Sequence, residues 1–114
     1  MLDLNVAIFT LLKPVAKVEL EFPDTGKSFP IITIAEISNL PDLIVEGKEK
    51  ISDITYQVDV WDNGKDRQTC ERIANEVSHV LIQNHFERIM ARGFKDPSGL
   101  HRKTMYFNTK AINL

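Results

Sequence analysis

The 114-residue sequence predicts an α+β fold: a mostly antiparallel four- to five-stranded sheet packed by an amphipathic helix, with a further helix at the N-terminus. Three observations carry this. Ile54, Tyr56, Val58 and Val60 alternate with Thr55, Gln57, Asp59 and Trp61, the period of a half-buried strand. After Asp62-Asn63-Gly64 the period changes, and Cys70, Ile73, Ala74, Val77 and Leu81 recur at three and four residues, one face of a helix. Elsewhere, short apolar runs are separated by Pro, Gly, Asp and Asn, the residues that turns require.

Taken in order, Leu4, Ile8, Leu11 and Leu12 share a helical face, with Asp3 as cap, and Pro14 ends that helix at or before Lys13. From Val15 to Phe22 the apolar residues Ala16, Val18, Leu20 and Phe22 alternate with Lys17, Glu19 and Glu21, a strand. Pro23-Asp24-Thr25-Gly26 has the chemistry of a tight turn. The run Ile31–Ile37 is apolar enough for the sheet interior and is expected to pair back on Val15–Phe22. Residues 39–50 contain Pro41, Gly47 and a nearly continuous charged run, and read as a long connection. Leu43, Ile44 and Val45 within it either tuck onto the core or form an exposed contact patch.

The strand ending at Trp61 and the helix from about Asp66 follow, with Asp62 or Asn63 as cap and Asp66 favoured by the helix dipole. Phe86–Phe94 is a further strand. Alternation sets Arg88 and Arg92 on the same side as Phe86, Met90 and Phe94. Asp96-Pro97-Ser98-Gly99 then turns the chain into Arg102–Thr109, where Met105 and Phe107 share a face, so the chain closes on a hairpin. The length and the absence of a linker or repeat point to one domain.

Composition narrows the function classes. The net charge is −2, which gives no overall attraction to nucleic acid. Residues 1–63 hold five Lys/Arg against eleven Asp/Glu, a balance of −6, and residues 64–114 hold nine against five, a balance of +4. This is either chance distribution over a surface or a subunit with an acidic and a basic side suited to head-to-tail contact. The single cysteine allows no intrachain disulfide. The N-terminal apolar run carries Asp3 where a signal peptide needs positive charge, and is too short to span a membrane. The cytoplasm of the producing cell is therefore the expected place of synthesis.

No catalytic constellation emerges. His79 and His85 are six residues apart, the wrong spacing for a helical metal pair, so no metal and no cofactor is expected. Cys70 lies on the buried stripe and reads as a small core hydrophobe. Asp59 and Asp62 read as solvated strand-end charges without a partner base. Arg88, Arg92, Lys95, Arg102, Lys103 and Lys110 interleave with Phe86, Phe94, Tyr106 and Phe107, a pattern open to nucleic-acid binding or to ordinary strand alternation. Trp61 is either covered by the chain itself or an anchor for a partner.

The segments FPIITIAEI (Phe29–Ile37), YQVDVWD (Tyr56–Asp62), RIANEVSHVL (Arg72–Leu81) and the closing GF…DPSGLHRKTMYF hairpin resemble the tail-completion and head–tail joining proteins of long-tailed bacteriophages and prophages. The resemblance implies a non-enzymatic virion protein, assembled in the host bacterial cytoplasm. It implies a ring of copies, a hexamer, on the head-proximal end of the tail tube. There the ring would stop tube growth and dock the head, with the tail tube protein and a head-completion or connector protein as partners. It offers no catalytic residues. Leu43, Ile44, Val45, Trp61, Arg88 and Arg92 are the candidate subunit or tube contacts. The alternatives are another phage neck, minor tail or head-completion component, or a small nucleic-acid-binding module.

Overall fold

The computed structural model describes residues 4–20 and 28–112. Helix α1 (Leu4–Leu12) leads into strands β1 (Lys17–Leu20), β2 (Ile31–Val45) and β3 (Lys48–Asp62), then helix α2 (Gln68–Gln83), then strands β4 (Glu87–Lys95) and β5 (His101–Ile112). The five strands form one mixed sheet in the order β1-β2-β3-β5-β4. As the alternation predicts, the fold is α+β and most pairs are antiparallel. Asp3 and the turn Pro23–Gly26 lie outside the described residues.

One pairing differs from expectation. β1 pairs with β2 in parallel, Lys17 opposite Ile31 and Leu20 opposite Ile34. The two segments do meet, but not as a hairpin. A parallel pair needs a connection that returns the chain to the start of the sheet, and local turn chemistry gives no sign of that.

The pleat sorts the residues onto two faces. On the helix side, Ile32, Ile34, Ile54, Tyr56, Val58, Val60, Met105 and Phe107 meet Cys70, Ile73, Ala74, Val77 and Leu81 of α2 and Ile8 and Leu12 of α1. Each fully buried Ile, Val or Leu there contributes about 1.5–3 kcal/mol. The Cys70 thiol lies in this layer, and burial pushes its pKa up to about 11. At the helix start the N-cap position is Arg67, which makes no side-chain cap hydrogen bond, and Asp66 just before it accepts the Gln68 N–H through Oδ1 at 3.0 Å. Asp62 instead accepts from Gly64 N in the preceding turn.

Residues 39–50 are not a loop. β2 and β3 each run fifteen residues and stay paired out to Val45–Lys48, closed by Glu46 and Gly47 at φ 53° and 75°. Two successive positive φ values define a two-residue type I′ turn, whose twist suits a hairpin. Pro41 falls beside a register shift, between Pro41 and Leu43, and a bulge is one of the places where a strand tolerates proline. Fifteen extended residues reach roughly 50 Å, and the molecule measures 55 × 25 × 24 Å. The hairpin thus projects from the body as an arm.

Candidate functional site

Among the described residues the arm gathers the largest group of exposed large apolar side chains. Leu40, Leu43, Ile44 and Val45 are 61%, 45%, 58% and 44% exposed. Leu43 stands opposite Ile51, and Ile51 opposite Ile112 of β5, so an apolar row crosses three strands at the base of the arm. Of the two options for Leu43, Ile44 and Val45, the structure shows exposure rather than tucking onto the core. Grouped exposed apolar side chains of this kind mark a contact surface more often than a free one.

The arm is braced from β5. Lys110 Nζ donates to Asp42 Oδ2 at 2.7 Å, and that hydrogen bond holds the lysine above its ordinary pKa. Asn108 Nδ2 donates to Asp53 Oδ1 and to Thr55 Oγ1. Register shifts at Ile37 and around Asp42 interrupt the β2 ladder. Such bulges bend and twist an edge.

Trp61 is 3% exposed. It lies on the sheet face opposite the helices, where its Nε1 donates to Thr33 Oγ1 at 2.8 Å. The Arg102 guanidinium stacks 4.3 Å above its ring. Arg102 Nη2 also donates to Asp59 at 2.9 Å and Nη1 to Asp96 at 3.1 Å. In the folded chain this tryptophan is covered by its own strands. Asp59 and Asp62 are likewise buried rather than solvated. Asp59 is held by Arg102 and by Gln57 Nε2 at 3.0 Å.

Arg88 and Arg92 are both exposed, but they are not on one side. A bulge between Arg88 and Met90 shifts the register by one residue, and one residue reverses every later side chain. Arg88 points to the helix side, with Nη1 3.4 Å from Ser78 Oγ. Arg92 lies on the other face, over the Phe94 ring. Phe86 and Phe107, candidates for base stacking, are spent in the core. A second charged cluster ties α2 to the β4–β5 hairpin. Arg67 donates to the carbonyls of Phe94 and Arg102, and Lys103 to Glu71 at 2.9 Å. The Lys103 hydrogen bond holds the Glu71 carboxyl below its ordinary range. Among the described residues no cluster of His, Cys, Asp and Glu could hold a metal ion, and no helix is long and apolar enough to cross a membrane.

The family described as tail completion protein gp17 matches residues 5–109, from the first helix to the closing strand. The chain belongs to the gp17 tail completion family. Its members are structural components of phage, so the chain is a phage tail completion protein and a virion component. Among curated proteins none matches the chain. The match begins within α1 and ends within β5. Sequence reasoning missed Leu40, Ile112 and Arg102 as members of these surfaces. Leu40 was hidden by Pro41, and the other two join their clusters only through cross-strand pairing.

Proposed function

We propose that this tail completion protein caps the head-proximal end of the tail tube as a closed ring of six copies, ending tube growth and presenting a platform for the head. The observation that carries the reading is the arm. The body completes its own core, yet the hairpin extends past it with Leu40, Leu43, Ile44 and Val45 exposed. Each such side chain is about half exposed and so forgoes roughly half of the 1.5–3 kcal/mol that full burial gives, which contact with another protein recovers. Leu43, Ile44 and Val45 form the contact with the tube or a neighbouring copy, and Arg88 and Arg92 sit on the rim between subunits. Trp61 acts from inside, by fixing Arg102. The tail tube protein and a head-completion or connector protein are the partners, met in the host bacterial cytoplasm. A ring needs a heterologous contact that closes, and the uneven charge along the chain suits one.

The test is complementation of a phage lacking this gene. Leu43→Asp combined with Ile44→Asp should leave the fold intact, because both side chains are exposed, and should abolish joined particles. Heads lying apart from tails of uneven length, seen by electron microscopy, are the expected result. Intact infectious particles from the double variant would remove the arm from the contact. Free heads with tails of normal length would make the protein a joining factor rather than a terminator.

A further inference from the structure

We infer that the tip of the arm on one copy docks into a hollow beside α1 on the next copy. This rests on the ring reading above and names two surfaces that would close the ring. The hollow lies between α1, the turn from α2 into β4, and β5. Its volume is about 570 Å³, and its lining includes Ala7 and Leu11 of α1, Phe86 at the turn, and Thr109 and Lys110 of β5. That volume falls within the roughly 300–1,000 Å³ of ordinary binding cavities. The walls are already fixed in a single copy. Ile8 and Leu12 anchor α1 in the core, Phe86 packs there too, and Thr109 Oγ1 donates to the His85 carbonyl at 3.1 Å.

The composition of α1 fits a helix that is covered in the assembly. Its nine residues, LNVAIFTLL, include no charge and are apolar around most of the girth. That pattern belongs to buried helices, whereas a surface helix keeps its apolar residues to one stripe. In the single chain only Ile8 and Leu12 of α1 are buried, and Ala7 and Phe9 are exposed.

The occupant is the arm of a second copy. Its tip presents Leu43, Ile44 and Val45 on a hairpin that projects from the body, an apolar knob opposite in shape to the hollow. The knob cannot enter the hollow of its own chain. Lys110 reaches from the hollow to hold Asp42 on the arm, and Glu46 at the turn lies four residues farther along, roughly 13 Å farther out. Charge agrees with the pairing. Residues 36–53, which span the arm, hold five acids against two lysines, with Glu46 at the turn. Lys110 at the hollow has a side chain 56% exposed even with Asp42 beside it, so it can meet a second carboxylate at the rim. Knob and hollow are different surfaces of one chain, so the contact is heterologous and runs head to tail, as a ring requires.

The test supplies variants in trans to a phage lacking the gene. Ala7→Trp fills the hollow from an exposed helix position. It should lower infectious yield at least tenfold, with the circular dichroism of the purified variant unchanged. Ala7→Cys combined with Ile44→Cys puts one thiol in the hollow and one on the tip. Oxidation of joined particles carrying both should give a ladder of multiples of this chain that collapses on reduction, and neither single variant should give it. Wild-type yield from folded Ala7→Trp would overturn the contact. Joined double-cysteine particles without the ladder would overturn it too, even if Ala7→Trp lowers yield, because the hollow would then take another protein such as the tail tube protein. If the phage lacking the gene already makes intact joined particles, the ring reading itself fails, a result distinct from both.

Discussion

Replacing Arg102 should be among the most damaging single changes outside the apolar core. Its guanidinium is 18% exposed, and Asp59 beneath it is 8% exposed. It makes two charge-assisted hydrogen bonds, to Asp59 at 2.9 Å and Asp96 at 3.1 Å, and stacks on Trp61 and Phe94. Arg102→Ala removes the cation but leaves Asp59 buried, with Gln57 as its remaining side-chain donor. Breaking one partner of a buried pair costs about 3–5 kcal/mol, a large share of the roughly 5–15 kcal/mol that holds a domain together. Arg102→Lys keeps the charge but loses the fork and the stacking. It should cost about 1.5–3 kcal/mol, the worth of one charge-assisted hydrogen bond. Urea unfolding followed by tryptophan fluorescence reads both. Arg102→Ala should lower the midpoint by on the order of 2 M with an unchanged slope. Adding Asp59→Asn to Arg102→Ala should recover at least about 1 kcal/mol, because the buried charge is then gone. If Arg102→Ala costs less than about 1 kcal/mol, the pair behaves as a solvated surface bridge and the burial argument is wrong.

Three further outcomes are expected. Gly93→Ala places a Cβ 2.5 Å from Arg67 Nη2, which donates to the Arg102 carbonyl and Glu71 while Nη1 donates to the Phe94 carbonyl, so the guanidinium is held in place. It should destabilise by about 1–3 kcal/mol, and should add little in an Arg67→Ala background. The Glu71 carboxyl is held below its ordinary value of 4.5 by the Lys103 hydrogen bond, and Asp96 below 3.8 chiefly by Ser98. A depressed folded pKa gives stability that is present above the ordinary value and lost as the pH falls through the folded one. Stability should therefore decline below about pH 4.5, and less steeply in Lys103→Gln. Identical acid-unfolding curves would reject that coupling. Cys70, its pKa raised to about 11 by burial, should resist a thiol reagent at pH 8 in the native protein and react at once in urea. Rapid native labelling would mean that α2 opens locally.

Sequence alone determined the parts of this protein that rest on local rules. The helix stripe from Cys70 to Leu81 and the alternation from Ile54 to Val60 were legible because both periods are set by backbone geometry within one segment. The Asp96–Gly99 turn was legible because its residues fix their own conformation. The family resemblance was also readable there. Pairing between distant segments decided the rest. The parallel placing of β1 depends on a contact between residues fourteen apart in number, Lys17 and Ile31, which no local signal reports. The arm was hidden because Pro41 and a charged run mimic a loop, and only the pairing of β2 with β3 and the positive φ of Glu46 and Gly47 make it a hairpin. One bulged residue after Arg88 put two arginines on opposite faces, since a period of two has no memory across an insertion. Whether Trp61 is covered by the chain or open to a partner was decided only when Arg102, forty-one positions on in the sequence, was brought over its ring. Periodicity says which face a residue shares with its neighbours in the chain, and tertiary structure says what covers that face.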